Sequence, residues 1–293
     1  MSKGPAKTIA DITKGFAKHQ YICSEQISTA VYLANELEKP ILIEGPPGVG
    51  KTELANTAAL YYKKALLRLQ CYEGLDETKA LYEWRYGKQL LYTQILKEQM
   101  QEVLEGAKGL KDSLDRLMEF EDIFFSEQFL ESRPLLKSLT SSEGTVLLID
   151  EVDKADEEFE ALLLEILSEF QVSIPELGVK KAVVKPLVIL TSNNSREIGD
   201  ALKRRCLHLY IPFPDAKLER EIIQARVPEI SKSLQIQLVD FVQGLRELDL
   251  KKLPAISETI DWAKTLILLN ADELSQELAK STLNVLLKHQ QDI

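Results

Sequence analysis

The run Gly45-Pro46-Pro47-Gly48-Val49-Gly50-Lys51-Thr52 follows the apolar segment Ile41 to Ile43 without a break and opens a helix-forming stretch near Glu53. Few folds suit that arrangement. Glycines let the backbone bend tightly enough to aim successive N–H groups at phosphate oxygens, and the helix that follows adds the positive end of its dipole. A strand before and a helix after is the context a phosphate-binding loop (P-loop) requires. In that reading Lys51 reaches the β and γ phosphates of a nucleoside triphosphate, and Thr52 ligates Mg²⁺.

The rest of the chain supplies the sheet such a loop needs. Short apolar runs recur at Ala65 to Leu69, Val146 to Ile149, Leu187 to Leu190 and Leu207 to Ile211, each the length of a buried parallel strand. Between Glu157 and Phe170 the residues Phe159, Leu162, Leu163, Ile166, Leu167 and Phe170 recur at spacings of three and four, which predicts one apolar helix face. Strands alternating with helices predict an α/β fold with a doubly wound sheet. Residues 72–143 are too many for one crossover and carry a helical pattern around Gln89 to Leu104, so an insertion is expected there. Residues 171–184 alternate on either side of Pro175 to Gly178 and predict a projecting β-hairpin. At Pro212-Phe213-Pro214 the strand pattern stops and helical periodicity takes over, which sets a boundary between a core of 1–212 and an all-helical unit of 213–293.

A second acidic half of the phosphate site is legible at Thr145 to Glu151, a strand that ends in two carboxylates. Ligands in such sheets sit at the C-terminal edges of the strands. Asp150 would hold Mg²⁺, directly or through water, and Glu151 would polarise an attacking water, because phosphoryl transfer depends on positioning and charge. Leu187 to Leu190 leads into Thr191-Ser192-Asn193-Asn194. Asn193 suits either a turn or a hydrogen bond to the γ-phosphate or the water. Lys203-Arg204-Arg205 closes a short helical segment. There it serves either the helix dipole or a guanidinium offered to a phosphate in a neighbouring subunit.

Composition limits the alternatives. The net charge of -10 opposes general binding to nucleic acid, so a DNA-acting motor is disfavoured. Hydrophobic residues at 45% and charged residues at 28% are those of a globular chain. Cys23, Cys71 and Cys206 are odd in number and far apart, as expected of a reducing compartment without a disulfide framework. With a polar N-terminal stretch and strand-sized apolar runs, no membrane span and a cytoplasmic location are expected.

Taken in order, these segments resemble the AAA+ ATPases over nearly the whole chain. More narrowly they resemble the MoxR family, close to the branch associated with carbon monoxide dehydrogenase maturation. The matching stretches are Gly45 to Thr52, Cys71-Tyr72-Glu73-Gly74-Leu75-Asp76, Tyr82-Glu83-Trp84, Arg133-Pro134-Leu135-Leu136, Leu190-Thr191-Ser192-Asn193 and Asp200 to Cys206. The resemblance implies a sheet of order 5-1-4-3-2 with a C-terminal helical lid. It also implies ATP and Mg²⁺ as cofactors, with Tyr21 and Ile22 beside the adenine. Asn193 becomes a sensor between Asp150 and the P-loop, and Arg205, rather than Arg204, a finger acting in trans within a homo-hexamer. It further implies a chaperone-like role with a von Willebrand factor A domain partner and a metalloenzyme client. An ATP-gated scaffold with little turnover is the alternative. The sequence departs from the family pattern at Glu258, where AAA+ lids often carry a second sensor arginine. Lys251, Lys252 or Arg246 stand as substitutes.

Overall fold

The computed structural model describes residues 8–94, 109, 126–175 and 177–289. Its centre is a five-stranded parallel sheet built from β1 (Ile41–Glu44), β2 (Ala65–Gln70), β5 (Thr145–Asp150), β8 (Leu187–Ser192) and β9 (Leu207–Tyr210). The spatial order is β2-β5-β8-β1-β9. Counting only the strands of this sheet and reading from the β9 edge, that is 5-1-4-3-2. All five apolar runs of the sequence are therefore strands of one sheet, and β8 lies between β1 and β5.

Alternation along these strands divides the core in two. Ile41, Ile43, Val146, Leu148, Leu187 and Ile189 face one side, covered by helices Ile9–Lys18, Glu25–Leu37 and Lys51–Tyr62. Leu42, Leu147, Ile149, Val188 and Leu190 face the other, covered by helices Pro134–Thr140 and Glu157–Glu169. Because both faces are covered, every residue of β5 and β8 is buried, which is why these strands read as continuous apolar runs. The helix Glu157–Glu169 starts where the Asp156 carboxylate caps the N–H of Phe159, at 2.9 Å. Its Phe159, Leu163, Ile166 and Leu167 are buried as their spacing predicts.

The described part of the insertion holds strand as well as helix. Residues 86–94 are helical, and the pattern beyond them falls outside the described residues. Before and after lie β3 (Tyr82–Trp84) and β4 (Leu130–Ser132), paired antiparallel. Three residues are too few to show a period, and the two strands lie far apart in sequence, so the ribbon has no sequence signature. The expected hairpin is present as β6 (Gln171–Ile174) and β7 (Gly178–Lys181).

After β9 the described chain is helical, with helices Ala216–Arg226, Lys232–Arg246, Ile256–Leu268 and Gln276–Leu286. They share a third core around the fully buried Trp262. No helix among the described residues is long and apolar enough to cross a membrane.

Candidate functional site

A cleft of about 770 Å³ lies at the C-terminal edge of the sheet, between the P-loop and the C-terminal helices. From one side come Tyr21, Ile22, Lys51, Thr52, Asp150 and Asn193, and from the other Leu218, Arg226, Ile256 and Ser257.

Two glycines shape its floor. Gly45 has φ +151°, and a Cβ there would stand 2.2 Å from the carbonyl oxygen of Ile211. Gly48, at φ +76°, lies so close beneath the helix Ile256–Leu268 that a Cβ would meet Ala255 Cβ at 2.5 Å and Ser257 Oγ at 2.7 Å. Both the left-handed backbone and the close approach exclude a side chain.

Lys51 is buried, and its Nζ donates to the carbonyls of Gly45 and Pro46 and to Asn193 Oδ1, each at 2.7 Å. Loss of water pushes its ammonium down from 10.5 to about 8, against the opposing pull of Asp153, Asp150 and Glu151. Thr52 Oγ1 donates to Asp150 Oδ1 at 3.1 Å. The buried Asp150 carboxylate also accepts from Thr191 Oγ1 at 2.5 Å and from Arg68 Nη2 at 2.6 Å. Glu151 leaves β5 with φ +55°, and its N–H donates to Thr191 Oγ1 at 2.9 Å. Its two carboxylate oxygens accept from Asn193 Nδ2 at 2.9 Å and Gln70 Nε2 at 3.0 Å. Asn193 is thus the bridge between Lys51 and Glu151, and β8 carries it there.

Asp153 anchors the loop after β8. Its carboxylate accepts from Ser195 Oγ at 2.5 Å, Ser195 N at 2.9 Å and Asn193 N at 3.2 Å. Burial would raise its pKa, but these donors hold it below the usual carboxylate value. Tyr21 lies against the loop, with its hydroxyl 3.4 Å from the Gly50 carbonyl, and burial raises its pKa.

The structure does not bring Arg205 to this cleft. Its Nε donates to Ser168 at 2.7 Å, and it ends the helix Asp200–Arg205 that feeds the N-terminal end of β9, at the other end of the sheet. Arg246 is no second sensor, because it is buried against Glu219, with Nη1 to Oε2 at 2.7 Å and Nη2 to Oε1 at 2.8 Å. Glu258 caps its own helix by accepting from Ala255 N at 3.1 Å, with Lys252 Nζ 3.6 Å away. The cation that the C-terminal helices do send into the cleft is Arg226, paired with Glu53 at 2.7 Å. Sequence reasoning missed Arg226, Arg68, Gln70 and Asp153. None belongs to a motif, and only the packing of strands and helices puts them at the site.

The donor set fits a nucleoside triphosphate with Mg²⁺. A small hydroxyl and a buried carboxylate meet beside a glycine-rich loop, as a hard cation sharing its remaining ligands with phosphate and water requires. Among the described residues no group of three or more His, Cys, Asp or Glu side chains could hold a metal alone.

A P-loop before a helix, two acids ending a neighbouring strand, a polar residue on the strand between them and a helical lid together define a nucleotide-dependent ATPase-type domain. A profile for the AAA domain (dynein-related subfamily) matches residues 40–206, more than half of the chain, and the chain belongs to that family. It is 25% identical over 258 residues to an uncharacterized protein of Staphylococcus haemolyticus, covering 85% of this chain and 84% of the relative. A Staphylococcus aureus protein is 24% identical over 220 residues, covering 73% and 70%. Among solved structures, a point variant of Thermotoga maritima RuvB superposes with a TM-score of 0.53 at 17% identity, covering 98% of this chain and 75% of that one. Domain III of the Thermotoga maritima replication initiation protein DnaA superposes at 0.50 with 14% identity, covering 99% and 100%. At these identities the structural likeness speaks for the fold.

Proposed function

We propose that the protein hydrolyses ATP in the cleft above β1, β5 and β8 and uses the cycle to remodel a client protein, in the manner of the MoxR group. The observation that carries this reading is the continuous chain Lys51–Asn193–Glu151 beside Thr52–Asp150. Lys51 exchanges its loop carbonyls for phosphate oxygens. Asn193 senses that exchange, because one amide holds both Lys51 and Glu151. Glu151 orients and deprotonates the attacking water, and Tyr21 and Ile22 flank the base. Thr52 and Asp150 would hold Mg²⁺, which when bound neutralises phosphate charge and polarises the transferred group. In this reading residues 1–212 form the core and 213–293 the lid.

Arg205, remote from its own cleft, is assigned to the γ-phosphate of a neighbouring subunit in a homo-hexameric ring. Through the MoxR resemblance, the partner would be a von Willebrand factor A domain protein and the client a metalloenzyme, with the largely exposed β7 strand of the hairpin, whose partner β6 is packed into the core, as a working surface. ATPase rate per subunit should rise steeply with protein concentration and then plateau. A rate that stays appreciable and constant down to dilutions where sizing shows monomer would overturn the shared site.

A scaffold that assembles on ATP but hardly turns it over is the second reading. It is favoured by Glu258 and by the burial of Arg246, which leave the lid without the usual sensor. Glu151→Gln separates the two. A working ATPase should lose about 10²-fold or more in turnover while still binding ATP, whereas a scaffold should lose almost nothing.

A further inference from the structure

We infer that Arg68 acts as a built-in placeholder for the metal, satisfying Asp150 when no divalent cation is bound and tying metal occupancy to the orientation of Glu151. The Asp150 side chain is only 4% exposed, and a carboxylate so enclosed needs a positive partner. Lys51 lies near enough to feel the carboxylate's charge but makes no bond to it, because its three hydrogen bonds go to Gly45, Pro46 and Asn193. Arg68 does, at 2.6 Å, from a side chain that is 53% exposed. The buried acid is therefore fixed while its partner is free to swing into water at small desolvation cost.

The same guanidinium nitrogen donates to Gln70 Oε1 at 2.7 Å, and Gln70 Nε2 donates to Glu151 Oε2 at 3.0 Å. Residues two apart on β2 share a face of the sheet, and the register sets Gln70 beside Asp150. A single guanidinium nitrogen thus holds the acid proposed for the metal and, through one amide, the acid proposed for the water. A divalent cation held by Asp150 would repel the guanidinium and release the Oε1 end of Gln70. Gln70 would then keep only its Nε2 bonds, to Glu151 at 3.0 Å and to the Asp150 main-chain carbonyl at 3.5 Å, so its hold on Glu151 would loosen when the metal is in place. Arg68 is a positioning residue in this scheme.

The inference rests on the reading of Asp150 and Thr52 as the metal site, and one experiment separates the two. Mn²⁺ binding is measured by electron paramagnetic resonance on the full chain with saturating ADP, and melting temperature in EDTA and again with Mn²⁺ and ADP. Arg68→Gln, which removes the competing cation, should bind Mn²⁺ about tenfold more tightly than wild type. It should melt lower in EDTA, with the deficit closing once Mn²⁺ and ADP are bound. Arg68→Lys keeps the charge and should bind Mn²⁺ as wild type does. Equal Mn²⁺ affinity in Arg68→Gln and wild type, with the same melting deficit in both conditions, makes Arg68 an ordinary surface ion pair and overturns the inference. No Mn²⁺ binding by wild type overturns the metal site itself, and the placeholder with it.

Discussion

Lys51 carries its charge where water hardly reaches, and that shapes its response to pH. With its pKa pushed down from 10.5 to about 8, the folded protein gives up this proton before the unfolded chain does. Between those values the unfolded state binds more protons, so this group's contribution to stability rises with pH across that window and is smallest below it. Nucleotide binding runs the other way. A neutral amine has no charge to offer a phosphate, and bound phosphate favours the protonated form. ATP affinity, measured by calorimetry at fixed Mg²⁺, should therefore be level below about 8 and fall by roughly tenfold per pH unit above it. A flat profile to pH 9.5 would remove Lys51 as the phosphate cation.

At the scale of elements, the C-terminal helices are held by a polar knot as well as by the apolar core around Trp262. Glu219, fully buried, accepts from both terminal nitrogens of Arg246, from Gln243 Nε2 at 2.6 Å and from Thr259 Oγ1 at 2.9 Å. These bonds tie helix Ala216–Arg226 to helices Lys232–Arg246 and Ile256–Leu268. Arg246→Ala strands a buried carboxylate and should cost about 3–5 kcal/mol in urea unfolding. Replacing Arg246 and Glu219 together by Met should cost much less, because no charge is left unpaired. Equal losses in the single and double variants would mean that packing, not charge, holds the knot. From sequence alone Arg246 was a candidate sensor. A basic residue near the end of a helix looks the same whether it faces a phosphate or a buried acid.

For the whole molecule, the decisive feature is the distance between Arg205 and its own cleft. If neighbouring subunits share sites, Arg205→Ala should bind nucleotide normally yet turn over at least about 10³-fold more slowly. Mixing it with Glu151→Gln subunits should restore part of the rate, since some interfaces then carry both an intact acid and an intact arginine. No recovery in mixtures shown by native mass spectrometry to contain both chains would place Arg205 outside the chemistry.

How much of this was legible beforehand follows from which interactions are local. The P-loop, the five strands, the hairpin and the helix Glu157–Glu169 announce themselves because glycine geometry, strand length and the 3.6-residue period act within a few neighbours. Asp150 and Glu151 were legible as the acidic end of a buried strand. The β3–β4 ribbon was not, since its strands are short and meet across a long insertion. Nor were Arg68, Gln70, Asp153 and Arg226, whose side chains find partners at the site across 40 to 173 residues of chain. The sequence by itself determined that a phosphate cradle would sit on a parallel sheet, because that outcome is written in backbone sterics and apolar pattern. Only the tertiary structure decided which cation satisfies the buried Asp150, that Arg246 serves Glu219 rather than the cleft, and that Arg205 lies at the wrong end of the sheet to serve its own subunit. A charge acquires its role from the partner it meets, and that partner is chosen by packing.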